Sequence, residues 1–533
     1  MRPQSPGRSP RSIGPRTEKA AIRIVTIPAP GIHRSGADES RPRCGSELSY
    51  STERMQTMAA LDTRRRWLAL YVLCLGTLMI VLDATIVNVA LPSIREDLGF
   101  SQSSLAWVVN AYLLTYGGCL LLGGRLGDLF GARRLFLTGI SVFTLASLAC
   151  GLATTQWALV AARSAQGVGG AIASAVGLSL VMTLFTEPAE RAKAMGVVGF
   201  VAAGGGSIGV LAGGVLTDLL DWHWIFLVNI PVGAAVFVLC LRLLPATRGA
   251  AARLDLAGAA TITGALMLAV FAIVNGNDAG WTSARTVGLL AAAAGLGGLF
   301  VAIESRVSSP LVPLGLFRLR NVATANVVGV LWAAAMFAWF FLTALYLQLV
   351  LEYSPLQVGL AFLPSNLIMG AFSLGLSAKL VMRFGLRLPI TAGMSLVTAG
   401  LLLFTRAPVD GSFGVDVLPS MVLLGVGVGM AMNPVLLAAM SDVAPEESGL
   451  ASGVVNTAFM MGGALGLAVL ASLAASRTDG LLASGAGLLA ALTGGYQVAF
   501  VAGAFFGLVA AALAGLLLRN AQLPAFEPQA AEA

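Results

Sequence analysis

The chain predicts an all-α integral membrane fold of about fourteen transmembrane helices, and three observations carry that expectation. Hydrophobic residues make up 57% of the 533 residues and charged residues 11%, less than half the quarter usual in soluble domains. A soluble fold of this length could not hide so much apolar surface. Lipid removes the need, provided helices satisfy the backbone internally. Apolar stretches near the ~20 residues of a membrane crossing recur from residue 67 to residue 518. Lys and Arg, finally, gather on alternate connections between those stretches.

Residues 1–63 differ from all that follows, being rich in Arg, Pro, Ser and Gly with no sustained apolar run. Such a stretch cannot bury enough apolar area to order itself, and it lacks the long apolar core of a secretory signal. Two readings stay open: a disordered N-terminal extension, or an untranslated stretch ahead of a start at Met55 or Met58. Spans are then expected at 67–89, 105–123, 135–154, 157–182, 195–217, 225–244, 255–275, 286–303, 323–349, 357–378, 388–405, 418–438, 450–474 and 496–518. They group as an N-terminal six-helix half (64–245), a central two-helix insertion (246–305), a C-terminal six-helix half (306–518) and a cytoplasmic tail (519–533).

A weak internal repeat supports that grouping. Between the second and third spans runs Gly124-Arg125-Leu126-Gly127-Asp128-Leu129-Phe130-Gly131-Ala132-Arg133-Arg134. Between the tenth and eleventh, Arg383-Phe384-Gly385-Leu386-Arg387 overlays Leu129 to Arg133 as x-Phe-Gly-x-Arg. Parallel six-helix repeats place such turns at equivalent positions, leaving the seventh and eighth spans as an extra pair.

Charge placement sets the orientation. With the even-numbered connections and both ends on one side, 18 of the 33 Lys and Arg lie there and four, Arg95, Arg285, Arg406 and Arg477, lie opposite. Of the rest, ten precede Arg64 and Arg163 falls inside a span. The bias places both termini in the cytoplasm of a multi-pass protein of the cell (plasma) membrane. The formal charge of +7 is thus topological, and nucleic-acid binding is rejected. Cys74, Cys119, Cys150 and Cys240 fall within predicted spans and Cys44 in the leader, with no metal spacing; no disulfide framework, metal or cofactor is expected.

Several positions carry chemistry. Asp83 is the only acidic residue well inside a predicted span. A charged Asp at a helix centre costs about 2.5–3.5 kcal/mol on insertion scales, so it must be paired, protonated or face a wet cavity. Arg163, in Arg163-Ser164-Ala165-Gln166-Gly167, is the only basic residue well inside a predicted span and needs a partner. Asp83 is the obvious one. The competing readings are an Asp hydrogen-bonded for packing and an arginine snorkelling to an interface. In the turn at 124–134, Gly127 and Gly131 permit a tight reversal, Asp128 can face a helix N-terminus, and Arg133 and Arg134 hold the loop inside; any short cytoplasmic hairpin also favours Gly and Arg. Gly205, Gly209 and Gly213 are four apart, with Gly214 following, a spacing that lets two helices approach closely.

Taken together these motifs resemble the major facilitator superfamily. Gly124 to Arg133, as Gly-x-Leu-x-Asp-x-x-Gly-x-Arg, resembles its signature loop, which helps latch the inner gate; the usual basic residues are Leu129 and Ala132 here. Leu82-Asp83-Ala84-Thr85-Ile86-Val87-Asn88-Val89-Ala90-Leu91-Pro92 is similar to the first-helix motif of its fourteen-helix drug:proton antiporters, the EmrB/QacA subfamily. Arg163-x-x-Gln166-Gly167 resembles the buried fourth-helix motif tied to proton transfer. Gly205 to Gly214 resembles the exporters' antiporter motif with Val210 in place of its Pro. Trp222-His223-Trp224-x-Phe226-x-x-Asn229-x-Pro231-x-Gly233 matches a subfamily block except for His223. The likeness covers residues 65–518.

The resemblance implies a proton-coupled antiporter that exports small amphipathic molecules, a drug, antibiotic or secreted metabolite, by alternating access. Asp83 and Arg163 would couple protons, and Asn88, Trp107, Asn110, Tyr112 and Gln166 would line the substrate cavity, although each also reads as a packing residue. The implied partners are a small-molecule substrate, protons and the bilayer, for a monomer. The last six spans carry no interior carboxylate, which favours neutral, amphipathic or weakly anionic cargo. No phosphate-binding Gly-x-x-x-x-Gly-Lys-Ser/Thr is present, so ATP is not the expected energy source. An importer of the same fold is the first alternative; a membrane-embedded enzyme would need a catalytic cluster that the spans do not offer.

Overall fold

In the computed structural model the described residues are 63–185, 187–244, 255–307, 310–441, 443 and 448–519, all within one unit, Glu53–Ala533. A few helical positions are described by their backbone alone, Asp128 among them. The expected leader up to residue 62, the join at 245–254 and the tail from residue 520 lie outside the described residues.

The long helices are α1 (Thr63–Leu98), α2 (Trp107–Phe130), α3 (Ala132–Gly151), α4 (Gln156–Leu184), α5 (Pro188–Leu219), α6 (Asn229–Leu243), α7 (Leu256–Val274), α8 (Ala284–Glu304), α9 (Arg320–Leu349), α10 (Pro355–Ala371), α11 (Arg387–Phe404), α12 (Leu418–Met440), α13 (Ser448–Ala483) and α14 (Leu488–Leu517). Among the described residues, twelve helices are long and apolar enough to cross a membrane. Two further apolar helices are shorter, Ile208–Leu219 within α5 and α10 itself. The expected fourteen spans therefore require these two to cross as well.

Helix ends depart from the expected bounds for a physical reason. Hydropathy marks the lipid-facing core, whereas helical hydrogen bonding continues into water wherever no breaker stops it. Thus α1 runs on to Leu98 through Pro92 and takes in Arg95, and α13 runs to Ala483 and takes in Arg477 and Asp479. The span expected at 357–378 is interrupted: α10 passes at Phe372–Leu376 into a widened turn where Gly375 has φ 126°, and a separate helix follows at Ser377–Phe384.

Helix pairing reveals two matching bundles. In the first, α3 packs on α4, α2 on α4, α1 on α5, α3 on α6, and α1 on α6 and α4. Adding eight to each number gives α11 on α12, α10 on α12, α9 on α13, α11 on α14, and α9 on α14 and α12, all of which are also in contact. The bundles meet through α5 on α10 and α2 on α13, a set that maps onto itself under the same exchange. The turns are matched too. Gly131 (φ 89°) and Gly385 (φ 73°) both adopt the left-handed region after a Phe, a conformation that costs any residue with a Cβ.

The extra pair closes one seam. Helix α7 lies against both α2 and α13, while α8 packs chiefly on α7. Trp107 sets its ring 6.4 Å from that of Phe271, and Asn277 Nδ2 donates to Ser472 O at 2.8 Å. So α7 lines the joint between bundles, and α8 presents most of its surface outward.

Candidate functional site

Asp83 and Arg163 meet inside the first bundle. Arg163 Nη1 donates to Asp83 Oδ2 at 2.5 Å, and the two side chains have no solvent exposure. Asp83 Oδ1 accepts from Gln166 Nε2 at 2.6 Å and from Asn229 Nδ2 at 3.1 Å. Arg163 spends its other groups nearby: Nε donates to Val108 O at 2.9 Å and Nη1 also reaches Gln166 Oε1 at 2.6 Å. Gln166 is held in turn by Ser147 Oγ at 2.7 Å. Helices α1, α3, α4 and α6 thus each supply a side chain, and Val108 of α2 supplies a carbonyl.

Aromatic rings seal this cluster. The Arg163 guanidinium carbon lies 4.4 Å from the Tyr112 ring centroid and 5.6 Å from that of Phe226. In a desolvated setting each such cation–π contact is worth about 2 kcal/mol. Burying an ion pair costs several kcal/mol per ion unless its remaining donors and acceptors are satisfied. Here both carboxylate oxygens are satisfied, while Arg163 Nη2 has no partner among the described residues. The pair is net neutral, and a proton on Asp83 would leave the Arg163 charge uncompensated.

The positions expected to line a cavity divide. Asn88 and Tyr112 do line one, a pocket of about 170 Å³ shared with Ile80, Val81, Ala84 and Thr85 on one side and Met336, Phe337, Phe340 and Met460 on the other. It lies between α1–α2 and α9–α13, so both bundles form its walls. Gln166 and Asn110 are fully buried and line neither this pocket nor the larger one next to it. Gln166 belongs to the Asp83 cluster, and Trp107 packs on α7. Sequence reasoning left Ser147, Asn229 and Phe226 without roles in the cluster. Asn229 stood inside a quoted block, but a neutral amide gives no sign of what it will contact.

The larger cavity, about 650 Å³, opens beside the 124–134 turn. Gly124, Arg125, Gly127 and Ala132 line it from the first bundle, Leu311 from the segment before α9, and Ser452, Gly453, Asn456 and Met460 from α13. A Cβ on Gly127 would come 2.5 Å from Val176 Cγ1, so that glycine lets α2 lie close on α4. Arg133 Nη2 donates to Leu241 O, a C-terminal carbonyl of α6 left open by the helix end. The Asp128 side chain lies outside the described residues.

At the opposite end the bundles are in tight contact. Gln348 Nε2 donates to Val89 O at 2.9 Å, linking α9 to α1. The glycine row of α5 splits between two partners. Cβ atoms on Gly205, Gly209 and Gly213 would meet Val81, Leu82 and Ile86 of α1, the last through its carbonyl at 2.6 Å. One on Gly214 would instead lie 2.6 Å from Pro355 O of α10. Three glycines therefore serve packing within a bundle, and Gly214 serves the joint between bundles.

Two matched helical bundles, closed at one end and parted around a cavity at the other, define a multi-pass membrane transporter of small molecules. A family model described as Major Facilitator Superfamily matches residues 73–467, and the chain belongs to that family. It is 41% identical over 462 residues to the puromycin resistance protein pur8 of Streptomyces alboniger, covering 85% of this chain and 92% of that protein. It is 39% identical over 459 residues to the cephamycin export protein CmcT of Amycolatopsis lactamdurans, covering 84% and 92%. Among solved structures, a bacterial homologue of the human lysosomal transporter Spinster, inward-facing and unoccupied, superposes with a TM-score of 0.62. At 16% identity, over 87% of this chain and all of that one, the likeness is one of fold.

Proposed function

We propose that the chain exports amphipathic antibiotics or related metabolites from the cytoplasm in exchange for protons, as a fourteen-span monomer in the plasma membrane. Its halves, 64–245 and 306–518, rock about the central cavity, with 246–305 as the intervening pair and both termini cytoplasmic. Relatives named for puromycin resistance and cephamycin export support the direction and the cargo class. The cavity beside Arg125 and Ala132 lies at the end where the basic connections gather, so the state described is open to the cytoplasm.

The observation that carries the coupling is the sealed Asp83–Arg163 pair. Protonating Asp83 cancels its charge and releases Arg163 to seek other partners across α1 and α4, the helices that flank the pocket wall at Tyr112. Each proton moved down 100 mV supplies about 2.3 kcal/mol, enough for roughly a fifty-fold solute gradient. The test is a resistance screen. A pump-deficient bacterial host expressing the chain is challenged with puromycin and with a cephamycin, and raised resistance to either selects the cargo. No protection against either, from protein present in the membrane, would remove the export reading.

A further inference from the structure

The charge pair and the inner pocket share one aromatic ring. Tyr112 covers the Arg163 guanidinium, with 4.4 Å from ring centroid to guanidinium carbon, and it also lines the 170 Å³ pocket between the bundles. Tyr116, one turn further along α2, stacks on it at 5.7 Å with the ring planes 29° apart, and lines the pocket too. Two glycines of α4 seat this stack. A Cβ on Gly167 would lie 2.5 Å from Tyr112 O, and one on Gly170 would lie 3.3 Å from both Tyr112 Oη and Tyr116 Cδ2. The rings thus pack directly on the helix that carries Arg163 and also face the pocket.

The opposite wall of the pocket is apolar and polarisable, with Met336, Phe337, Phe340 and Met460 from the second bundle. The polar side chains of α1 turn their donors to their own helix: Thr85 Oγ1 donates to Leu82 O at 3.1 Å and Asn88 Nδ2 to Thr85 O at 3.2 Å. Tyr112 Oη donates to Ile80 O at 3.4 Å, a long bond that leaves the ring held mainly by its packing. An uncharged ring suits such a wall, and it would pack on the tyrosine that covers Arg163.

We infer that Tyr112 is the positioning residue through which a proton on Asp83 and cargo in the pocket oppose one another. This deepens the export reading and rests on its assignment of the coupling proton to Asp83. While Asp83 is ionised, its carboxylate offsets the guanidinium charge. A proton removes that offset, and a desolvated cation then attracts the aromatic face undivided. Tyr112 is held harder against Arg163 and yields less readily to cargo. Cargo that draws the ring towards the pocket weakens the same contact, at a greater cost when Asp83 is protonated. By linkage each ligand lowers the affinity for the other, which is the sign an exchanger needs. Among the described residues, the charged or titratable groups facing Asp83 are Arg163 of α4, Tyr112 of α2 and Cys150 of α3, whose Sγ lies 3.7 Å from Gln166 Oε1. Helix α6 presents neutral Asn229, and α5 meets α1 there through Gly205, Gly209 and Gly213.

The test measures binding of N-phenyl-1-naphthylamine, which carries no charge in neutral or mildly acidic buffer, to the purified full chain in nanodiscs. Probe fluorescence is read with empty nanodiscs subtracted, and no gradient is needed. Wild-type affinity should fall about tenfold between about pH 8 and about pH 5, within the range usual for coupled sites. Asp83→Asn should bind with no pH dependence. Tyr112→Leu should flatten the profile, whereas Tyr112→Phe, which keeps the ring, should retain it. Tyr112→trifluorophenylalanine keeps the shape but weakens the charge on the ring face, so it should shrink the profile relative to Tyr112→Phe even if Tyr112→Leu fails to fold. Met336→Trp, which fills the pocket, should abolish binding. A profile lost in Asp83→Asn but intact in Tyr112→Leu and Tyr112→trifluorophenylalanine would overturn the role of Tyr112 and leave Asp83 as the coupling group. A flat wild-type profile, or one unchanged in Asp83→Asn, would remove the Asp83 assignment and the inference with it. Lack of saturable binding by the wild type, or undiminished binding by Met336→Trp, would overturn the pocket as the site of the ring.

Discussion

Replacing Gly214 by Ala perturbs the joint between bundles at a single point. The added Cβ would lie 2.6 Å from Pro355 O and 3.0 Å from Leu356 Cα, both backbone atoms that cannot rotate aside. Relief requires α5 and α10 to separate by several tenths of an ångström, and overpacking of this kind costs about 1–3 kcal/mol. In the proposed alternating-access cycle this contact is lost when these ends part, so the cost falls on the state described alone. At 1.4 kcal/mol per decade, the population ratio moves by roughly five- to a hundredfold towards the alternate state of the proposed cycle. The assay is alkylation of Ser452→Cys, a position lining the 650 Å³ cavity, by a polar maleimide in nanodiscs, with the parent chain as control for the native cysteines. Adding Gly214→Ala should slow the reaction. An unchanged rate in a variant of unchanged melting temperature would refute the reasoning that this joint opens and closes.

Three further outcomes are expected. Arg163→Lys should lower the melting temperature and abolish gradient-driven transport. One ammonium cannot reach Val108 O, Asp83 and Gln166 together, and each buried group left unsatisfied costs about 1–3 kcal/mol. Tyr112→Phe should be nearly neutral in thermal unfolding, since it loses only a 3.4 Å bond to Ile80 O, whereas Tyr112→Leu removes the ring over Arg163 and should cost about 2 kcal/mol. Gly131→Ala and Gly385→Ala should each destabilise by about 1–3 kcal/mol, because both positions hold positive φ. Gly124→Ala, with nothing within 4 Å of its Cβ, should not destabilise in the same scan.

What could be read in advance follows from how rare each signal is in a membrane chain. Asp83 and Arg163 stood out because ionised groups within apolar spans are few and each demands a partner. Gln166, Ser147 and Asn229 did not stand out as a group, since neutral polar residues in lipid find partners in many directions. Gln166 was accordingly expected at the cavity, whereas it is fully buried against Asp83. The glycine row of α5 announced a close approach but not its partner, and Gly214 faces a different helix from Gly205, Gly209 and Gly213. Arg125 was counted among cytoplasmic charges by the same rule as Arg134. Only the convergence of α2, α4 and α13 places it in a cavity wall. The repeat was faint in sequence because two glycine turns survive as its marks, while the pairing of whole helices shows it throughout.

The central claim is that one proton on Asp83 is exchanged for cargo. Inside-out proteoliposomes with an acidic lumen, loaded by whichever antibiotic the resistance screen selects, test it directly. The wild-type chain should accumulate cargo against its gradient and lose that ability when an ionophore collapses the pH difference. Asp83→Asn leaves Arg163 buried without its counter-ion, a change that costs about 3–5 kcal/mol, so cargo counterflow with no pH gradient serves to show that the variant is folded. Asp83→Asn should retain counterflow and lose accumulation. Accumulation by Asp83→Asn equal to that of the wild type would contradict the account.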